Sequence, residues 1–421
     1  MRWAVLTAVL SVVLATREVD VEADADSLAF VHVVWRHGDR SPGRVFTPSD
    51  EAKWPNGLGE LTENGVRQHY RLGQWLWKRY GRWLGSPVDR NEIYIRSSDY
   101  NRTLMSAMAN LAGMIPPQSE VIPGIKWQPI PVHTVPKYLD RQLYEDIECH
   151  VAEEETKSEL GSSSALELME EYRNLVEFIG VKSGLGRPLE IDDIQLYFDN
   201  LFCQQRNNIT WPSWMTNEKF YDLTQLYYKS SKYHFRSEVL KKLRGGTLLK
   251  EIVSRLQQKE DGTSTSKKKY YAYSAHDTTI AALLSTLGID FDVFPLYATA
   301  LMVEMHRNDN GVSLVRIFHK NETDVDTVFE YSIPGCPAPC AFKQFAEDYQ
   351  KYFPTDWAKE CGVDTQNGGG KMGIVINLVL AAMIVFLIYR IHQEKRKMKM
   401  FVKQMKSDGT GMQLLGPGEE F

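Results

Sequence analysis

The sequence predicts an α/β fold, with a mainly parallel central sheet flanked by helices on both faces and a smaller helical domain. Three segments carry this prediction, because in each an apolar, β-prone run ends abruptly in polar residues: "LAFVHVVW" before Arg36, "EIYIR" before "SSDYNRT", and "KKYYAYSA" before His276. Helix-like runs, "LMSAMANLAGM" and "IAALLSTLG", follow the second and third segments. Strand, polar turn and helix form the repeating unit of an open parallel sheet, which binds ligands beyond the carboxyl ends of its strands.

A helix is predicted between the first two strands. Residues 62–84 place apolar side chains at helical spacing, with Thr62 as the N-terminal cap and Gly85 as the stop signal. We expect this helix to cover one face of the sheet. His69 within it is more typical of a packing or surface histidine than of a catalytic group.

The middle of the chain has a different pattern. Within residues 137–250, "SSSALELMEEYRNLVEFIGV", "DIQLYFDNLFCQQRN" and "EKFYDLTQLYYKSSKY" have helical spacing, and no strand-like run separates them. We therefore assign residues 27–136 and 251–365 to the α/β domain. Residues 137–250 are predicted to form a helical insertion or a small second domain.

The first fifteen residues, 1–15, predict a secretory signal peptide. Arg2 precedes an apolar run from Val5 to Ala15, and Val13 and Ala15 fit the small-residue positions before a cleavage site. The alternative is a short N-terminal anchor, but the run is too brief to span a membrane.

A second apolar segment, 372–389, predicts a membrane-spanning helix. Only Asn377 interrupts it, and its 18 residues reach about 27 Å at about 1.5 Å per residue. A flexible linker, 366–371, precedes it, and the tail that follows, 390–421, is basic: Arg390, Lys395, Arg396, Lys397, Lys399 and Lys403. The positive-inside rule places this tail in the cytosol and the bulk of the protein in a lumen or outside the cell. The alternatives are a buried core helix, which is seldom apolar on every face, and a GPI signal, which ends in its hydrophobic stretch.

Composition excludes some functions and leaves five cysteines to place. The formal charge of −5 provides no basic surface for nucleic acid, so no nucleic-acid partner is expected.

In an oxidising compartment, five cysteines predict two disulfides and one remaining thiol. Cys336 and Cys340 enclose "PAP", which favours a local bridge. As metal ligands they lack the second pair that a zinc site needs.

Charged residues follow each of the three predicted strands. If these strands are neighbours, their carboxyl ends bring six residues to one edge of the sheet: Arg36, His37, Arg40, Arg102, His276 and Asp277. A single arginine at such a place is more often part of a surface ion pair. Several arginines predict a site for a compact anion, because each guanidinium offers phosphate a rigid fork of donors.

His37 then has the surroundings of a nucleophile. A neutral imidazole can attack phosphorus, and nearby arginines neutralise the charge that would repel it. Asp277 is the candidate proton donor to the leaving alkoxide, which favours acidic pH because a carboxylic acid donates only while protonated. We expect His276 to hold phosphate oxygens as a cation and Asp39 to accept from an arginine. The same residues could ligate metal, but arginines repel a dication, so no metal is expected.

"WRHGDRSP" resembles the R-H-G-x-R-x-P signature of the histidine acid phosphatases, a branch of the histidine phosphatase superfamily. The similarity continues through "WPNGLGELTENGVRQHYRLGQWL", "YIRSSDYNRTLMSAMANLAGM", "WQPIPVHTVP" and "YYAYSAHDTTIAALLSTLG" and covers most of residues 28–361. It implies that His37 becomes phosphorylated and that Asp277 is the proton donor. It assigns phosphate binding to four further residues: Arg36, Arg40, Arg102 and His276. It also implies that segment 137–250 caps the active site and that no metal or organic cofactor takes part.

The implied function is hydrolysis of phosphate monoesters through a phosphohistidine, in a single-pass type I membrane protein. The resemblance is nearest to the animal group of lysosomal and prostatic enzymes, which implies a lysosomal or cell-surface location and makes a homodimer possible. The alternative is a catalytically inactive ectodomain used for binding or adhesion. The presence of all six site residues weighs against it.

The cysteines match that animal group only in part. The resemblance implies the pairs Cys149–Cys361 and Cys336–Cys340. Cys203 matches one half of a third pair, but Ala300 stands at the usual partner position. We therefore expect Cys203 to be unpaired or to pair between chains.

Three N-glycosylation sequons begin at Asn101, Asn208 and Asn321. Asn101 immediately precedes Arg102, where a glycan would crowd the substrate entrance, so we expect this sequon to be unused. Asn208 and Asn321 are the predicted glycosylation sites.

Overall fold

A computed structural model describes residues 16–46, 48–115, 117, 122–125, 128–144, 147–321, 326–363 and 367–407. The predicted signal peptide and the end of the tail lie outside these residues. The chain divides into two compact units, 1–363 and 364–421.

The described part of the first unit contains nine strands and thirteen α-helices. The strands are β1 (Thr16–Val19), β2 (Leu28–Arg36), β3 (Ile93–Ser98), β4 (Val132–Val135), β5 (Tyr270–Ala275), β6 (Ala300–Arg307), β7 (Ser313–Lys320), β8 (Val328–Tyr331) and β9 (Cys340–Ala341). The helices are α1 (Pro48–Glu51), α2 (Glu63–Leu84), α3 (Asn101–Met114), α4 (His150–Leu160), α5 (Ser163–Glu171), α6 (Arg173–Lys182), α7 (Ile191–Arg206), α8 (Asn217–Ser231), α9 (Glu238–Leu240), α10 (Gly246–Glu260), α11 (Asp277–Thr286), α12 (Phe342–Tyr349) and α13 (Trp357–Glu360).

One sheet holds all the described strands, in the order β1-β8-β7-β6-β2-β5-β3-β4, with β9 paired to β7. The pairs β2–β5, β5–β3 and β3–β4 are parallel. The remaining pairs are antiparallel, so the sheet is mixed, and the expected parallel pairing holds for one half only. The predicted α/β class with helices on both faces is confirmed. The three strands read from the sequence, β2, β3 and β5, are neighbours.

Strand β2 separates two layers of core. Because successive side chains point to opposite faces of a strand, Val31, Val33 and Trp35 pack with α2 and α3, whereas Phe30 and Val34 pack with the helices of the other face. All five are buried. A strand apolar on both faces lies in the middle of such a sheet, which places its carboxyl end between the two helical layers.

Helix α2 begins and ends where the sequence predicts. The Thr62 side chain accepts a hydrogen bond from the Gly65 N–H, and Gly85 ends the helix at a φ of 80°. The helix packs closely on α3, since a Cβ on Gly73 would lie 1.9 Å from the Asn110 carbonyl oxygen. Only glycine permits this approach between the two helix backbones.

The described part of residues 137–250 contains helices α4 to α9, the start of α10 and no strand, as predicted. A π-helical turn, Lys241–Gly245, precedes α10. The Cys149–Cys361 disulfide joins the start of α4 to the end of α13, with an S–S distance of 2.10 Å. The Cys336–Cys340 disulfide closes the turn before α12, at 2.03 Å. Both expected pairs are confirmed.

The second unit contains one long helix, α14 (Asn367–Ser407). It begins inside the stretch that was predicted to be a linker. Its segment Asn377–Met405 is the one helical stretch of the described residues that is long and apolar enough to cross a membrane, and none of that stretch is buried against the rest of the protein.

Candidate active site

The carboxyl ends of β2, β5 and β3 lie at one edge of the sheet. Arg36 pairs in register with Ala275, and Ser97 pairs with Ser274, so the strands end almost level. The chain then turns into the loop after β2, into α3 and into α11. These turns bring all six predicted residues to this edge.

His37 follows β2 and is 1 % exposed. Its Nδ1 lies 2.8 Å from the Gly38 carbonyl oxygen. A carbonyl only accepts, so Nδ1 carries the proton and Nε2 keeps a free lone pair. Burial, and after it the positive charges of the nearby arginines, holds the pKa of His37 well below its usual value. His37 is therefore a neutral imidazole with Nε2 available for attack.

The backbone around His37 is held on several sides. Its N–H donates to the Ala275 carbonyl, 3.0 Å away, and its own carbonyl accepts from Ala298 at 3.1 Å. A Cβ on Gly38 would lie 2.4 Å from the Gly65 carbonyl oxygen, so this turn requires glycine. The imidazole consequently has a fixed position before any substrate binds.

The three arginines keep unused donors. Arg36 donates to the Pro295 carbonyl at 2.7 Å and pairs with Asp277 at 2.8 Å. Arg40 pairs with Asp199 at 2.9 Å, and Arg102 makes one long contact, 3.5 Å, to the Gly59 carbonyl. The Nε atoms of Arg36, Arg40 and Arg102 are buried, and none has a hydrogen-bond partner among the described residues. Buried donors without partners are costly, so their clustering beside His37 indicates a site for an anion.

Aromatic rings support two of these guanidiniums. Arg36 lies 4.3 Å from the ring centre of Tyr297, and Arg102 lies 4.3 Å from that of Tyr100. Burial, followed by the like charge of Arg40, lowers the pKa of Arg102 to about 10. Arg102 therefore stays charged at neutral and acidic pH, and the pocket remains positive.

His276 caps α11 and is nearly buried. Its ring centre is 5.6 Å from that of His37, and its Nε2 lies 2.9 Å from the Ser98 hydroxyl. Ser98 donates its own proton to Thr103, so it accepts from His276 Nε2–H. Burial and the neighbouring arginines hold the pKa of His276 well below its usual value. Without a bound anion, His276 is therefore neutral, because burial and the arginines disfavour another positive charge; its role in holding phosphate oxygens stays a prediction.

Asp277 is the first residue of α11. Its Oδ2 forms the 2.8 Å ion pair with Arg36, and its Oδ1 accepts from the Thr278 N–H at 2.9 Å. The Asp277 side chain is 15 % exposed, and it lines the same pocket as Arg36 and Arg40. Asp277 therefore has access to a group bound at the arginines.

Asp39 faces away from this cluster. Its Oδ2 accepts from the Thr62 hydroxyl at 2.5 Å and from Asn207 Nδ2 at 3.0 Å. The expected contact with an arginine is therefore wrong, because the loop turns this carboxyl toward the start of α2. His69 is a packing residue: it is fully buried and donates to the Arg36 carbonyl through Nε2, 3.0 Å away.

The helical segment supplies the side wall of the pocket. Helices α7 and α8 and the loop before β6 contribute Gln195, Phe198, Asp199, Phe202, Tyr227, Tyr228 and Phe294. The wall is aromatic and packed, with ring centres 4.1 Å apart between Phe198 and Tyr227. Sequence reasoning missed these residues, because on an amphipathic helix they look like ordinary core positions.

Cys203 lies behind Arg40. It is free and buried, and its Sγ is 3.3 Å from the Tyr297 hydroxyl. Burial raises the pKa of this thiol. A thiol without exposure cannot reach another chain, which leaves the unpaired alternative for Cys203.

The sequon asparagines differ in exposure. Asn208 is exposed and has a positive φ of 55°. Asn321 is half-buried, and its carbonyl accepts from the Thr299 hydroxyl at 3.1 Å. Asn101 is exposed, but its Nδ2 donates to Glu60 at 3.0 Å beside Arg102. Glycosylation of Asn208 and Asn321, and its absence at Asn101, stay predictions.

Comparison with known proteins gives a consistent result. A family model described as the histidine phosphatase superfamily, branch 2, matches residues 27–320. The chain is 48 % identical over 400 residues to putative acid phosphatase 5 of Caenorhabditis elegans, covering 95 % of this chain and 94 % of that protein. It is 38 % identical over 360 residues to the prostatic acid phosphatase of Mus musculus, covering 82 % and 92 %. It is 34 % identical over 373 residues to the human (Homo sapiens) lysosomal acid phosphatase, covering 86 % of each.

Solved structures support the fold. Hafnia alvei phytase in complex with myo-inositol hexakis sulphate has a TM-score of 0.63, and the phytase from Citrobacter braakii has one of 0.62. Both are 15 % identical to this chain and cover 80 % of it, with 98 % and 99 % of their own chains matched. At this identity the likeness concerns the architecture alone.

Proposed function

The chain belongs to branch 2 of the histidine phosphatase superfamily, and from that membership we propose that it is an acid phosphatase that hydrolyses phosphate monoesters through a phosphohistidine at His37. One observation carries the proposal. A neutral imidazole with a free Nε2 stands beside three buried guanidinium Nε–H groups that have no partner among the described residues. Attack on a phosphate anion requires a neutral nucleophile, and it requires cations with free hydrogen-bond donors to bind the phosphate oxygens.

In the first step, the arginines hold the phosphate oxygens and His37 Nε2 attacks phosphorus. The N–P bond forms while the P–O bond to the alcohol breaks, and Asp277 gives its proton to the departing oxygen. A phosphate oxygen that takes over the Arg36 donor frees Asp277 from its present ion pair. The guanidinium charges stabilise the charge spread over the equatorial oxygens in the transition state.

In the second step, water attacks the phosphohistidine. Asp277, now a carboxylate, takes a proton from this water, the P–N bond breaks, and inorganic phosphate leaves with His37 neutral again. An acidic optimum follows, because each cycle begins with a protonated Asp277. The negative charge of bound phosphate would also offset the arginines, so His276 could then gain the proton it lacks here.

The aromatic side wall faces the same pocket and would pack against the alcohol part of the substrate. Such packing is not directional, so we expect tolerance of different aryl and alkyl groups. The alternative, an inactive ectodomain for binding or adhesion, is not supported, because the complete reactive cluster is present and the matched relatives are named acid phosphatases.

The test compares His37→Ala with the unchanged protein. The full chain, purified in detergent, is assayed with p-nitrophenyl phosphate at acidic pH, and the covalent intermediate is trapped with labelled substrate by rapid alkaline quench, because the N–P bond of a phosphohistidine is labile in acid. His133→Ala is the matched control, because His133 is exposed and lies on β4. We expect activity and label to disappear only in His37→Ala. Equal rates for His37→Ala and the unchanged chain would reject the nucleophile, and activity abolished by a chelator would revive a metal mechanism.

We also propose that the protein is a single-pass type I membrane protein of the lysosome or cell surface. The apolar helix and the named lysosomal relatives support attachment to a membrane. The signal peptide, the orientation and the homodimer stay predictions. Resistance to alkaline carbonate extraction, with protease access to the tail alone in sealed microsomes, would support the orientation; protection of the tail would contradict it.

A further inference from the structure

Helix α14 does not stop where its uncharged part ends. That part ends at Tyr389, and the helix continues to Ser407. Five apolar side chains of the continuation are at helical spacing on one face, and each is at least 39 % exposed: Ile391, Met398, Phe401, Val402 and Met405. We call these five the apolar stripe. Met400 points to the opposite side of the helix, so the stripe does not include every apolar residue.

Basic residues flank the stripe. At about 100° per residue, Lys395 and Lys399 lie along one flank, and Arg390 and Lys397 along the other. Glu394 is the one acidic residue between Arg390 and Met405. Around the helix it lies within the stripe, between Phe401 and Met405, and Lys397 pairs with it there at 3.1 Å. An apolar face with cations on both sides is typical of helices that lie in a membrane interface.

We infer that α14, which is continuous through Tyr389 in the structure, bends after that residue in a membrane, so that residues 391–405 lie along an anionic lipid surface, with the apolar stripe in the acyl boundary and the flanking lysines against lipid phosphates. The inference rests on the membrane attachment proposed above. The inference gives the protein a second contact with the membrane, in addition to the membrane-spanning helix. The cytosolic leaflet, where the proposed orientation puts this segment, is the leaflet that carries anionic lipids.

The alternative of an upright helix predicts a different order of contributions. Arg396 would stand about 10 Å and Lys399 about 15 Å beyond Tyr389, at about 1.5 Å per residue. The Debye length at physiological salt is about 8 Å, so Arg396 would contribute more than Lys399. For a helix that lies flat the order is reversed, because Lys399 is on a flank and Arg396 points away from the lipid.

A second copy of the chain fits this face less well. In a parallel pair, the stripe residues Ile391, Met398 and Phe401 would form the seam together with Glu394, and because a lipid surface would cover Glu394 as well, this residue does not distinguish the two partners. Arg390 of one copy would also face Lys395 of the other, since these are the flanking positions of the seam. Like charges there oppose pairing, whereas the same charges favour anionic lipid.

The test uses the full chain in nanodiscs, where both lipid faces are accessible, made of phosphatidylcholine with or without phosphatidylserine. An environment-sensitive dye is placed by Phe401→Cys or, on the opposite side, by Met400→Cys, and bromine-substituted lipids report depth by quenching. Cys203 is buried, so the unsubstituted chain serves as the labelling blank. A third label, at Leu387→Cys, must be quenched in both lipids. If it is not, the span itself fails, independently of this inference.

We expect strong quenching of the dye at position 401 in discs that contain phosphatidylserine, weak quenching at position 400, and loss of the difference at high salt. Lys399→Gln should reduce the equilibrium constant for the lipid-bound state about fivefold, which corresponds to about 1 kcal/mol. Arg396→Gln should change it less, and Glu394→Gln should increase it.

Three results would overturn the inference. The first is equal quenching at positions 400 and 401. The second is a larger effect of Arg396→Gln than of Lys399→Gln on the equilibrium constant. The third is quenching at position 401 that is the same with and without phosphatidylserine. Energy transfer between copies labelled at 401, without quenching by lipid, would assign the stripe to self-association instead.

Discussion

Replacement of Asp199 by asparagine tests how the phosphate pocket is built. Both oxygens of Asp199 hold the Arg40 guanidinium, with Oδ1 2.9 Å from Nη2 and Oδ2 3.0 Å from Nη1. Arg40 lines the pocket, and its buried Nε has no partner among the described residues. Asparagine keeps the shape but loses the charge and one acceptor, so Arg40 is no longer fixed.

The expected size of the effect follows from burial. Arg40 and Asp199 side chains are 13 % and 16 % exposed, so removal of one partner should cost about 3 kcal/mol of stability, at the lower end for a buried pair. A hydrogen bond to a charged group contributes about 1.5–3 kcal/mol. If that contribution positions Arg40 in the transition state, kcat/KM falls by about 10- to 100-fold.

The loss of stability should depend on pH. Burial alone raises the pKa of Asp199, but the charge of Arg40 and its hydrogen bonds outweigh burial and leave the pKa lowered. A lowered pKa in the folded state gives stability that is present above the unfolded value, about 3.9, and is lost as the pH falls through the folded value. The difference in melting temperature between the two proteins should therefore be widest near neutral pH and should close in strong acid.

The assay is kcat/KM for p-nitrophenyl phosphate, together with melting temperature across pH. Asp193→Asn is the matched control, because it is on the same helix in a more exposed pair with Arg187. Arg40→Gln and the double variant complete a cycle, in which Asp199→Asn should add little once Arg40 is gone. Unchanged kcat/KM in Asp199→Asn, or full additivity with Arg40→Gln, would refute the reasoning.

Three further predictions concern other residues. Asp277→Asn should lower kcat by about 10²–10⁴ for alkyl phosphates but far less for p-nitrophenyl phosphate, whose leaving group needs no proton; equal losses would contradict a donor role. Gly73→Ala should lower stability by about 3 kcal/mol, because its Cβ would collide with the Asn110 backbone. Gly161→Ala should cost far less in thermal melts, because its nearest neighbour is 3.3 Å away and has to shift only slightly. Cys203 should not react with a thiol reagent until the protein unfolds, when one thiol should appear; reaction in the native state would show that it is exposed.

Local patterns made much of the site predictable. Each of β2, β3 and β5 is an apolar run with an abrupt polar end, and such an end marks the point where a chain leaves the core. The antiparallel half was not predicted, since β6, β7 and β8 carry no sequence signal for the direction of their pairing. Asp199 was missed for a similar reason: on α7 it has the spacing of any half-buried helix residue.

By itself, the sequence determined the strand ends, the cap and stop of α2, the apolar helix and the residue types that gather at the sheet edge, because these depend on neighbours along the chain. Tertiary structure decided the partners and the charges. Only the folded chain sets Asp199 against Arg40, turns Asp39 away from the arginines and keeps His276 neutral. Burial and distant charges govern protonation, and both arise when segments far apart in sequence pack together.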